Sequence, residues 1–145
     1  MIYTKHVGIY VNDMEREKQF YQNVFQMDVI CDAYRDQNEM LCELFQDGKG
    51  EALITKLITP LGKETGMGEM LELLHVTGQG NKKEKAGVIY EPGTAHICFG
   101  VDDMSQTVER VKSNGGIQKT KIYCLGQKLC TFCTDPEGNW IELIC

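Results

Sequence analysis

No apolar run in this 145-residue chain is longer than a strand needs, so no segment reads as a bilayer-spanning helix. The opening, MIYTKHVGIYV, has no charged-then-apolar leader and reads directly as folded structure, so a cytoplasmic protein is expected. Positive charge is in short supply. Fifteen Lys and Arg stand against 21 Asp and Glu, for a net charge of -6 and a pI near 5.1. That balance argues against nucleic acid or an anionic membrane surface as the main partner. Also missing is a second CxxC to join Cys130 and Cys133 in a zinc site. Their segment, LCTFCTD, reads as a strand, where positions three apart face opposite sides. The seven cysteines are an odd number in a chain without a leader, so no disulfide framework is expected. They are expected to act as small buried hydrophobes in a reducing compartment.

What the chain does have is an internal repeat. His6-Val-Gly-Ile-Tyr-Val-Asn-Asp-Met14 aligns with His96-Ile-Cys-Phe-Gly-Val-Asp-Asp-Met104 at an offset of 90 residues. His, Val, Asp and Met coincide at His6/His96, Val11/Val101, Asp13/Asp103 and Met14/Met104. Further on, Met70-Leu-Glu-Leu-Leu-His75 resembles Trp140-Ile-Glu-Leu-Ile-Cys145, with Glu72 over Glu142. Each half therefore begins with a histidine and ends with a glutamate. The length suits a single domain, with modules at about 1–78 and 92–145 and a linker at about 79–91.

Both halves carry the same local signals. Residues 3–11 are β-branched and aromatic and end in Asn-Asp, a strand followed by a helix cap. DMEREKQFYQNVFQ, residues 13–26, spaces Met14, Phe20, Tyr21 and Phe25 as an amphipathic helix with a charged outer face. DMSQTVERVKSNGG does the same with Met104, Val108 and Val111, then stops at Gly115-Gly116. Strands are predicted at about 27–34, 51–59 and 69–76, and again at about 117–124, 128–134 and 139–144. The fold class is α+β: two βαβββ modules forming a curled, eight-stranded mixed sheet. Residues 37–47 interrupt the first module as a short helix with Met40, Leu41, Leu44 and Phe45 on one face. Residues 77–93 are polar and Gly-rich, and their run Lys82-Lys83-Glu84-Lys85 reads as a solvated surface.

Glu72 lies between Leu71 and Leu73, and Glu142 between Ile141 and Leu143. A carboxylate inside an apolar strand is costly unless paired or bound to a cation. Taken singly, each of the four residues has an ordinary explanation: a Glu on a solvated face, a His near a surface. Two glutamates and two histidines at equivalent repeat positions need a common one. A pseudo-twofold arrangement would gather His6, Glu72, His96 and Glu142 around one divalent ion, with room for water in an octahedron. His75 follows Glu72 by three positions, points to the other face and has no repeat partner.

At these residues the chain resembles the vicinal oxygen chelate superfamily, which includes glyoxalase I, methylmalonyl-CoA epimerase, extradiol dioxygenases and fosfomycin and bleomycin resistance proteins. HVGIYVNDMEREKQFYQNVFQMD, EMLELLH, GTAHICFGVDDM and CTDPEGNWIELI carry the resemblance over essentially the whole chain. It implies a U-shaped cleft around a metal, with His6, Glu72, His96 and Glu142 at the four metal positions of glyoxalase I. Glu72 discriminates: epimerases resemble a Gln there, and dioxygenases and fosfomycin enzymes lack a ligand there. The resemblance implies a lyase of the glyoxalase I type acting on the thiol hemithioacetal of a 2-oxoaldehyde. Glu142 would be the main base and Glu72 its assistant. Nickel or cobalt would be favoured over zinc, in a homodimer. The alternatives are an acyl-thioester epimerase, a ligand-sequestering resistance protein and an oxygenase. The basic residues that fix glutathione carboxylates have no clear counterpart, with Arg16 and Arg35 as candidates only.

Overall fold

The computed structural model describes residues 1–77, 89, 93 and 96–145. The linker expected at about 79–91, apart from Ile89, and the Lys82–Lys85 run lie outside them. Contacts divide the chain into two compact units, Met1–Lys82 and Lys83–Cys145.

In the first unit the order is β1 (His6–Tyr10), α1 (Met14–Phe25), β2 (Asp28–Gln37), α2 (Glu39–Phe45), β3 (Glu51–Ile58), α3 (Pro60–Thr65) and β4 (Met70–Val76). The sheet order is β1-β4-β3-β2, with β1 parallel to β4 and the other pairs antiparallel. The Asp13 carboxylate caps α1 by accepting from the Arg16 backbone N–H at 3.0 Å. The helix buries Phe20, Tyr21 and Val24, and strands β3 and β4 bury Leu57, Leu71 and Leu73. Each such side chain contributes about 1.5–3 kcal/mol by leaving water. Glu17 is buried on the same helix face. The charged outer face expected from the sequence is therefore narrower than its spacing implied.

The second unit runs β5 (Ile97–Gly100), α4 (Met104–Ser113), β6 (Ile117–Gln118), β7 (Tyr123–Leu125), β8 (Lys128–Thr134) and β9 (Trp140–Ile144). Its order is β5-β9-β8-β6, with β7 also on β8 and β5 parallel to β9. Asp103 caps α4 through the Gln106 N–H at 2.9 Å, as Asp13 does for α1. Met104, Val108 and Val111 are buried on the helix, and Cys133, Ile141 and Leu143 on the strands.

The α+β class holds, as do both capped helices and the short helix in 37–47. Three expectations need correction. The described strands number nine and pair in two sheets of four and five, where eight in one sheet were expected. The ninth arises because the strand predicted at 117–124 splits. Lys119 and Thr120 both donate their backbone N–H to the Phe132 carbonyl, and the Thr120 hydroxyl takes the Phe132 N–H at 3.0 Å. A side chain thus replaces a rung of the ladder. Helix α3 was not anticipated, although Thr59 caps it and Pro60 stands in its first turn. All seven cysteines are free, but only Cys130 and Cys133 are buried, while Cys98, Cys124 and Cys145 are exposed.

Candidate metal centre

The parallel pairing at the edge of each sheet sets the site. In the first unit Gly8 of β1 stands opposite Glu72 of β4. In the second, Cys98 of β5 stands opposite Glu142 of β9. The histidine lies two residues before the opposed residue in both, and so on the same strand face. The register of the duplication is thus retained in hydrogen-bonded pairing as well as in sequence.

The side chains meet accordingly. His6 Nε2 lies 3.4 Å from Glu72 Oε2, and His96 Nε2 lies 3.1 Å from Glu142 Oε2. The carboxylates are mostly covered, at 12% and 21% exposure, while the imidazoles are more open at 41% and 33%. Imidazole nitrogen and carboxylate oxygen are the donors a borderline divalent ion takes. Neighbouring ligands about 2.1 Å from a common octahedral ion stand roughly 3 Å apart, so each pair has the separation of two adjacent ligands. Within either unit alone, no three His, Cys, Asp or Glu side chains among the described residues are placed to hold a metal. Each unit brings together one histidine and one glutamate.

The two pairs have different surroundings. Lys56 on β3 is in register with Glu72, and its Nζ lies 3.0 Å from Oε1. The residue in register with Glu142 on β8 is Phe132, whose ring edge meets the His96 ring at a centroid distance of 5.3 Å. Glu142 Oε1 instead accepts from the Cys130 thiol at 3.2 Å. That hydrogen bond, helped by Cys98 and His96 and opposed by burial, holds the Glu142 carboxyl below the usual carboxylate range. Burial and the adjacent Glu142 push the Cys98 thiol up to about 11. Cys130 is raised for the same reasons. Neither Lys56 nor the two thiols could be singled out from sequence, because cross-strand register is not visible there.

Other residues fall as follows. Helix α2 packs Leu41 and Phe45 on Ala52, Ile54 and Leu74, and the Phe45 ring edge meets Tyr10 at 6.4 Å. Leu74 and Tyr10 share the strand faces of Glu72 and His6, so the insert covers the face carrying that pair. His75 Nδ1 lies 3.0 Å from the Val11 carbonyl, away from Glu72. Arg35 pairs with Glu51, and the Arg16 backbone serves the α1 cap. Cys133, the other half of the CxxC, is buried, and its thiol is pushed up to about 11 by that burial.

Two copies of one strand–helix–strand plan, each bringing a histidine at or just before an edge strand to a glutamate on an interior strand, define a duplicated α+β class of protein. Residues 4–143 match the Glyoxalase/Bleomycin resistance protein/Dioxygenase superfamily, and the chain belongs to that family. It is 30% identical over 147 residues to a lactoylglutathione lyase of Schizosaccharomyces pombe, covering 96% of this chain and 46% of that protein. The chain thus spans about half the length of that relative. It is 26% identical over 141 residues to a lactoylglutathione lyase of Pseudomonas aeruginosa, covering 96% of this chain and 80% of the relative. Among solved structures, a glyoxalase family protein from Bacillus cereus superposes with a TM-score of 0.83 at 17% identity, over 99% of this chain and 93% of that one. A fosfomycin resistance protein from Listeria monocytogenes, complexed with Mn(II) and sulfate, superposes with a TM-score of 0.61 at 17% identity, over 100% and 93%. No helix among the described residues is long and apolar enough to cross a membrane.

Proposed function

We propose that this chain is a metal-dependent lyase of the glyoxalase I type. It converts the hemithioacetal of a 2-oxoaldehyde and a thiol into a 2-hydroxyacyl thioester. The observation that carries the proposal is the recurrence of one His–Glu pair at one register in both units, at 3.4 and 3.1 Å. Relatives named lactoylglutathione lyase support it. His6, Glu72, His96 and Glu142 would hold one divalent ion, nickel or cobalt ahead of zinc. The working form would be a cytoplasmic homodimer, each chain one domain of two modules.

The chemical difficulty is the weak acidity of the C–H to be broken. His6, Glu72, His96 and Glu142 would hold a divalent ion, which when bound would supply Lewis-acid polarisation of the substrate. Glu142 is the base: like any ordinary carboxylate it is ionised at neutral pH and can accept the proton. The same carboxyl returns that proton to the neighbouring carbon, so the reaction is an internal redox isomerisation that needs no external oxidant. Glu72, held by Lys56, would assist, and His6 and His96 would serve as ligands to the ion.

The test is elemental analysis of the purified protein joined to a substrate panel. One divalent ion per site and turnover of methylglyoxal–thiol adducts are expected. Turnover of an acyl-CoA epimer in their place would reassign the reaction, and a tight ligand without metal would point to sequestration. Glu142→Gln should lower kcat by orders of magnitude; full turnover would remove Glu142 from the role.

A further inference from the structure

The repeat makes His6 equivalent to His96 and Glu72 equivalent to Glu142, but it does not extend to what holds the carboxylates. Opposite Glu72 on the edge strand is Gly8, which has no side chain to offer. A Cβ built there would stand 3.8 Å from Glu72 Oε2 and 3.2 Å from Leu74. Opposite Glu142, at the same register, is Cys98. From the other side, Cys130 reaches Glu142 Oε1 at 3.2 Å. One carboxylate is therefore held by an ammonium from a neighbouring strand, and the other by a thiol, with a second thiol standing opposite it on the edge strand.

We propose that Cys130 is a positioning residue for Glu142, holding Oε1 by S–H donation so that Oε2 stays turned to His96. The proposal rests on the reading of Glu142 as the proton-transferring carboxylate. Its physical basis is the strength of the donors. An ammonium beside a carboxylate gives a strong, charge-assisted contact. A thiol is a weak neutral donor. It fixes the orientation of the carboxylate without setting a positive charge beside it. Cys130 is 5% exposed, and its contact with Glu142 is shielded from competing water. A hydroxyl can make the same bond; a methyl cannot.

The test compares Cys130→Ser with Cys130→Ala, using the methylglyoxal–glutathione hemithioacetal as substrate and infrared spectra of the S–H stretch, a region free of other protein bands. Cys130→Ala should lose about tenfold in kcat, the scale of one hydrogen bond to a charged group, with KM nearly unchanged. Cys130→Ser should restore turnover to near the wild-type value. The Cys130 band, isolated by subtracting the Cys130→Ser spectrum, should move to higher frequency in Glu142→Gln, where the acceptor is weaker. Equal turnover by the Ala and Ser variants, or a band that Glu142→Gln leaves in place, would overturn the proposal. If the wild type turns over no hemithioacetal yet the band shifts, the lyase reading fails and the thiol hold on Glu142 stands.

Discussion

Lys56 stands directly opposite Glu72 in the β3–β4 register, its ammonium 3.0 Å from Oε1. A divalent ion taken up by Glu72 must share that carboxylate with a positive charge already present. Replacing Lys56 with Met keeps most of the unbranched stem and removes the charge. Metal affinity should then tighten by roughly three- to tenfold, as expected for relieving one partly screened repulsion near the protein surface. Competition with a chelator of known affinity measures it, and weaker binding would show that Lys56 supports Glu72 as a ligand instead.

The two helix caps should behave alike. Asp13 and Asp103 each accept from the backbone N–H three residues on, at 3.0 and 2.9 Å. Asp13→Ala and Asp103→Ala are each expected to cost about 1 kcal/mol in urea unfolding. A loss at only one of them would mean that the repeat is uneven in its energetics.

Gly68 precedes β4 with φ of 66°, and a Cβ there would run into the Thr4 carbonyl oxygen. Gly68→Ala meets both a left-handed backbone and a backbone contact that cannot swing aside. A destabilisation of about 2 kcal/mol or more is expected. An unchanged midpoint would show that the segment before β1 can move away freely.

Burial raises the Cys133 thiol from its ordinary value of 9.0 to about 11 in the folded chain. The folded state thus favours the protonated thiol more than the unfolded chain does. Its contribution is fully present below pH 9.0 and is lost as pH rises toward about 11. Stability of the wild type should fall across that window, and Cys133→Ala should flatten part of the decline even if it starts lower. Parallel curves for the two proteins would assign the decline to other groups.

Much of this was legible in the sequence because duplication leaves pairs. His6 and His96, Glu72 and Glu142, Asp13 and Asp103 could each be found by alignment of the chain with itself. What was not legible depends on cross-strand register, which is a property of two segments and not of either. Lys56 sits 16 residues before Glu72 and Cys130 sits 12 before Glu142. Nothing in those spacings marks them as neighbours of a carboxylate. The strand at 117–124 was broken by a threonine hydroxyl that composition cannot reveal. Helix α3 did carry a local signal, Thr59-Pro60, hidden by its shortness. Glu17 is buried although nothing in its spacing sets it apart from the other charged residues of the helix.

His6 belongs to the edge strand β1 and His96 stands immediately before the edge strand β5, while each glutamate lies on an interior strand. Edge strands open at lower free energy than the strands they flank. Each imidazole can therefore leave its carboxylate by local fraying of β1 or β5, without the rest of its sheet unfolding. A bound cation would act as a pin across that seam. Amide exchange along β1 and β5 would then slow on metal loading far more than along β4 or β9, and loss of the ion would begin at the rim of the sheet.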